Sequence, residues 1–258
     1  MKRQLIGIVW ILVLVLSTYA VIAQTVPEGP GTFTNVNSTR RTPAVQRTLN
    51  AAAGNITQLV IAGETITQTW FGVFGNVTGI ITLDNGQNRT MYDWNVANPA
   101  GEIYATTLAS VNWSTVTCYN LTNPNTDNYF TKAEFESSLG LGATDDDGVD
   151  ETFSDANPHD AFYVGTIGFT SGQCPATSMY NSSQQKDTTR FQEVLLYNGG
   201  ETTDNSSNAG RIIYTALLED TSVNGFDGTD MDFQMLLGEN GHQGDTSTTP
   251  YYFYVELE

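Results

Sequence analysis

The spacing of its short apolar runs constrains this chain most. Runs rich in Val, Ile, Phe, Tyr, Trp and Thr lie at residues 56–61, 64–70, 71–83, 90–94, 102–108, 115–121, 162–169, 190–197, 212–218, 231–237 and 251–257. Clusters of Gly, Asn, Asp and Ser separate them. β-Branched and aromatic side chains suit a pleated surface, and the intervening residues supply turns, so about ten strands are expected. No helical period long enough for a strand–helix–strand crossover lies between them. The expected fold class is all-β: a β-sandwich, or two joined antiparallel sheets, with one short helix.

Local signals refine this. Residues 56–61 and 64–70 flank Ala62-Gly63 and predict a strand pair. Gly72, Gly75 and Gly79 predict bulges or close backbone approach within 71–83. Asp84-Asn85-Gly86 predicts a turn before the run at 90–94. The helix is predicted by a capping box, Thr131-Lys132-Ala133-Glu134, followed by Phe135 and Leu139 and stopped by Gly140.

The start of the chain predicts export. Lys2 and Arg3 precede an apolar stretch over residues 5–16, and Val21 and Ala23 stand at −3 and −1 of a cleavage before Gln24. That order makes residues 1–23 a secretory signal peptide. The alternative is an uncleaved N-terminal anchor, because residues 5–23 approach the ~20 needed to span a bilayer. A pilin-type assembly helix would have to continue, and Pro27 and Pro30 stop it. Residues 24–50 read as a linker or N-terminal arm, and 51–258 as a β-rich extracellular domain.

A hydrophobic fraction of 40% is enough to form a core. The formal charge is −18, becoming −20 without Lys2 and Arg3. Such a field repels phosphates, so nucleic acid is excluded as a partner, and it offers anionic lipid heads no attraction. Contact with a membrane would come only through an uncleaved N-terminal segment. Salt screens such repulsion, so a salt-rich or calcium-rich surface suits the composition. Cys118 and Cys174 are the only cysteines, and in an exported chain they predict a disulfide. Asn-x-Ser/Thr acceptors stand at Asn37, Asn55, Asn76, Asn88, Asn112, Asn120, Asn181 and Asn205. Glycosylation is expected at all except Asn76, which falls inside a predicted strand.

Three stretches resemble a known group of chains. They are Thr69-Trp70-Phe71-Gly72-Val73-Phe74-Gly75-Asn76-Val77-Thr78-Gly79; Met91-Tyr92-Asp93-Trp94 with Gly101-Glu102-Ile103-Tyr104-Ala105; and Gly225-Phe226-Asp227-Gly228 with Asp232-Phe233-Gln234-Met235-Leu236 and the closing Tyr251-Tyr252-Phe253-Tyr254-Val255-Glu256-Leu257. The set is similar to uncharacterised exported surface proteins of small-genome archaeal lineages. The resemblance implies a surface location and no particular activity.

Candidate sites are few. Calcium takes six to eight oxygens, and Asp145, Asp147, Asp150 and Glu151 cluster around Gly148, which makes them the candidate calcium ligands. The full EF-hand spacing is missing. Asp227, Asp230 and Asp232 form a weaker acidic set. His159 and His242, the only histidines, read as loop residues, and neither a Gly-x-Ser-x-Gly elbow nor a His-Glu-x-x-His helix occurs. A glycosidase needs only two carboxylates, and 28 acidic residues give no means of singling out a pair. Trp70 and Trp94 are expected in the sheet core. The expected function is a non-enzymatic secreted or cell-surface glycoprotein with a structural, adhesive, filament or envelope role. Its expected partners are cell-surface components or glycans. The alternative is a carbohydrate-binding module or polysaccharide hydrolase.

Overall fold

The computed structural model describes residues 26–96, 100–122, 130–199, 211–221, 223–241 and 248–257. The expected leader, Asn205 and His242 lie outside them. No helix among the described residues is long and apolar enough to cross a membrane.

The architecture is all-β. Its centre is an antiparallel sheet of six strands. They are β4 (Gly101–Thr106), β5 (Val116–Cys118), β8 (Ala176–Ser178), β9 (Gln192–Asn198), β10 (Ile212–Leu217) and β14 (Tyr252–Leu257). The order is β14-β4-β10-β9-β5, with β8 also pairing β9. Four two-stranded ribbons surround it: β1 (Trp70–Gly75) with β13 (Phe233–Gly238), β2 (Gly79–Asp84) with β3 (Thr90–Val96), β6 (Phe162–Val164) with β7 (Ile167–Phe169), and β11 (Val223–Asn224) with β12 (Asp230–Met231).

Strand alternation sends neighbouring side chains to opposite faces, and here both faces are covered. Ile103, Ala105, Leu195, Tyr197, Ile212 and Tyr214 point to one core, where Met235 and Leu237 of β13 pack with the two helices. Tyr104, Val194, Leu196 and Ile213 point to the other, closed by Phe162, Val164, Phe169 and Cys174. That is why β9 and β10 read as near-continuous apolar runs. Burying each Leu, Ile or Val of this kind contributes about 1.5–3 kcal/mol. At the edge of β4, Gly101 has φ +133°, and a Cβ there would overlap the Glu256 backbone. Glycine is what lets β14 lie this close.

The expected helix is α1 (Lys132–Ser138). Thr131 Oγ1 accepts from the Glu134 N–H, the Glu134 carboxylate accepts from the Thr131 N–H, and Gly140 takes φ +73° at the exit. A further single turn, α2 (Val149–Thr152), packs Val149 and Phe153 into the first core. The β2–β3 turn also forms as expected: Asn85 Oδ1 accepts from the N–H groups of Gln87 and Arg89.

Several local expectations need correction. Residues 56–61 and 64–68 form no strand, and β1 starts only at Trp70. Strand propensity measures packing against neighbours, and here Val60 and Ile61 are 94% and 83% exposed. The stretch 71–83 is two strands that do not pair with each other, because β1 finds β13 and β2 finds β3. The run 162–169 is a hairpin, turned at Gly165 with φ +57°. Only residues 116–118 of 115–121 are strand. Asn76 lies between β1 and β2 and is exposed, so its exclusion as a strand residue does not hold. Trp94 is half exposed, outside either core.

Candidate functional site

A few groups with acid–base chemistry are enclosed, namely Glu102, Glu136, His159, Glu193, Asp232 and Glu256. Glu102 on β4 stands directly opposite Glu256 on β14, and both are buried. The Tyr104 hydroxyl lies 3.0 Å from Glu256 Oε2 and 3.4 Å from Glu102 Oε2, and the Gly165 N–H donates to both Glu256 oxygens at 3.0 Å. Burial first, and the two carboxylates second, hold the Tyr104 hydroxyl well above its ordinary range. It therefore stays protonated as a donor. This is the carboxylate pair that sequence reading could not single out. It lies buried under the β6–β7 hairpin and ties that hairpin to the sheet edge.

The acidic loop is divided by the fold. Asp145 accepts from the Gly142 N–H at 2.8 Å, and Asp147 accepts from Thr67 Oγ1 at 2.5 Å while its carbonyl accepts from Trp70 Nε1 at 2.7 Å. Asp147 thus holds the loop to the start of β1, and Asp145 closes the turn within the loop. Asp150 and Glu151 instead join Glu136 of α1, with one oxygen from each within 4.8 Å of the others. Lys132 Nζ sits 2.6 Å from Asp150 and 3.6 Å from Glu136. The hydrogen bond to Lys132 lowers the Asp150 carboxyl, whereas burial raises that of Glu136. The residues can offer a cation carboxylate oxygen, but calcium would have to displace the ammonium already among them. The set works as an ion-pair link between α1 and α2. Asp232 is also used internally, accepting from the Val77 N–H at 2.8 Å.

Cys118 and Cys174 form a disulfide, as expected. His159 lies in a loop, as expected, but it is wholly buried beside the disulfide. Its Nε2 accepts from the Cys174 N–H at 2.9 Å, which places the proton on Nδ1, 2.7 Å from the Asp160 carbonyl. Burial lowers its pKa, so the ring stays neutral and acts as a clamp on the bridged segment. No sequence signal marked this role, since only the tertiary fold brings residue 159 to residue 174. Glu193 on β9 is also fully buried and donates none of its polarity to solvent. One oxygen accepts from the Leu236 N–H at 2.8 Å and the other meets no partner. Burial pushes its carboxyl well up. A cavity of about 300 Å³ opens nearby between α1, β10 and β13, lined by Leu139, Tyr214, Gly238 and Tyr251. The Tyr251 hydroxyl there already donates to the Gly238 carbonyl.

The outward-facing features are of another kind. Residues 34–66 form no helix or strand, turn once at Ala53-Gly54 and are largely exposed, and Val36, Val45, Leu49, Ile56, Val60 and Ile61 face outward. The β2–β3 hairpin gathers its larger apolar face on one side: its register puts Ile81 opposite Trp94 and Leu83 opposite Tyr92 there, while Thr82 opposite Asp93 and the exposed Ile80 opposite Asn95 share the other. Leu83, Tyr92 and Trp94 are about half exposed, and the two rings meet edge to face at 4.8 Å. Charge is split as well. Residues 29–63 hold Arg40, Arg41 and Arg47 and no Asp or Glu, while all but Glu28 of the 28 acidic residues follow residue 63. Of the acceptor asparagines, Asn37, Asn55, Asn88 and Asn112 are exposed, and Asn120 and Asn181 are partly so. Comparison with protein-family models, curated proteins and solved structures found no match.

Proposed function

We propose that this chain is a non-enzymatic, exported surface glycoprotein that works by association, as part of an envelope, adhesive layer or filament. The observation that carries the reading is the outward apolar surface of residues 34–66 and of the β2–β3 hairpin. Apolar patches of this kind on a soluble chain mark interaction sites. Further support comes from His159, Glu102 and Glu256, which are engaged in holding the fold. The exposed acceptor asparagines suit glycan attachment. A second reading, glycan binding, is favoured by the exposed Tyr92–Trp94 pair, since aromatic faces can stack on sugar rings.

A glycan array combined with a hydrolysis screen on the secreted protein tests both. No turnover is expected on any polysaccharide. Turnover abolished by changing one carboxylate would overturn the proposal, and array binding lost in Trp94→Ala would select the second reading.

A further inference from the structure

The chain carries two apolar features that pair with no further strand among the described residues, and they are complementary. One is the segment 56–61, Ile-Thr-Gln-Leu-Val-Ile, which places Ile56 and Val60 on one side and Leu59 and Ile61 on the other if extended. Apolar residues on both sides describe a strand built to be covered twice. The other is the apolar face of the β2–β3 hairpin: Ile81, Leu83, Tyr92 and Trp94. A two-stranded hairpin is marginal by itself, and a further strand or a covering layer stabilises it.

The chain's own segment does not fill that role. It lies in a stretch tethered at both ends. Glu28 bridges to Val255 of β14 and Phe33 packs on Phe253 at 5.1 Å, while at the far end Thr67 and Trp70 bond to Asp147. Between those tethers Ile56 is fully exposed and Val60 nearly so, hence neither touches the hairpin. Charge supplies the remaining argument. Arg41 is paired with Glu64 of its own chain at 2.7 Å, but Arg40 and Arg47 also precede the segment and the chain beyond residue 63 is strongly acidic, so the arm of one copy is drawn to the body of another.

We infer that residues 56–61 of one copy dock on the β2–β3 hairpin of a second copy, giving a head-to-tail contact. Because donor and acceptor are different surfaces, the contact is heterologous and leaves a free arm and a free hairpin at the ends of every oligomer. Asn55 precedes the docked segment and Asn88 lies in the hairpin turn, so glycans on either would stand beside the contact. The inference rests on the association role proposed above and specifies its partner.

The test uses the full secreted chain. Val60→Asp and Trp94→Asp change exposed positions, and each alone is expected to raise the dissociation constant for self-association at least about tenfold in sedimentation velocity. Mixing the two variants should restore a dimer and nothing longer, because one retains only its hairpin and the other only its arm. Rising salt should weaken native association. Separately, a Val60→Cys chain mixed with a Leu83→Cys chain should form the mixed covalent dimer under mild oxidation. Association unaffected by either Asp variant would overturn this contact and leave the association role standing. A doubly substituted chain cross-linked only within itself, or a native chain monomeric at every concentration, would also overturn it. The role itself falls on a different readout, turnover in the hydrolysis screen.

Discussion

Strand β9 and the segment 56–61 are close in composition, Gln-Glu-Val-Leu-Leu-Tyr-Asn against Ile-Thr-Gln-Leu-Val-Ile, yet their fates are opposite. β9 has β10 on one edge, β5 and β8 on the other, and a core on each face. Among the described residues the segment has none of these, and its apolar side chains face outward. The difference teaches that an apolar, β-branched run specifies what it needs around it, and whether the chain supplies that surrounding is decided elsewhere in the sequence.

Substitutions can break or sharpen this contrast. Leu195→Ala should cost up to about 5 kcal/mol of stability in urea unfolding, because it leaves a cavity in a doubly covered strand. The same change at the hairpin, Leu83→Ala, should stay within about 0.5 kcal/mol, and a loss equal to that at Leu195 would break the comparison. Replacing Cys118 and Cys174 by Ser should cost about 3–4 kcal/mol, since the bridge closes a loop across 56 positions. Thermal unfolding with and without reductant reads this loss.

Smaller effects concern the buried charges. Lys132→Met should cost about 1–3 kcal/mol by leaving the buried Glu136 carboxylate without its ammonium, and Lys132→Met with Glu136→Leu should recover most of it. Glu193 gives a pH signature. Its folded pKa is raised, so above the ordinary carboxylate range the unfolded chain releases a proton that the folded one keeps. Stability then falls as pH rises, by about 1.4 kcal/mol per pH unit, until the folded carboxyl itself ionises. Below that range both states are protonated and the cost vanishes. Glu193→Gln should flatten the profile, as measured by unfolding midpoints across pH 4 to 8.

What could be read from the sequence was what depends on neighbours along the chain. The capping box at Thr131, the turn at Asn85 and the strands at β9, β10 and β14 all formed, because their causes lie within a few residues. The disulfide was legible because two cysteines allow one pairing. The pairing of β1 with β13 was not, since nothing local to Trp70–Gly75 names a partner beyond residue 230. The acidic loop shows the same limit within one motif. Asp150 and Glu151 meet Glu136 only because α1 and α2 pack together, and Asp147 turns to Thr67 instead. His159 and Glu256 likewise acquire their roles from groups that the fold brings in from afar.

Tyr104 finds its carboxylate partner Glu256 only 152 positions further along the chain. Until β14 emerges, the outer rim of β4 stands open, with its amide and carbonyl groups waiting for an extended peptide. Closure over such a separation is slow compared with helix or hairpin formation. Any neighbouring polypeptide able to extend beside β4 during that interval competes for the same ladder. Crowding nascent copies together would therefore penalise yield far more than it would disturb molecules that have already matured.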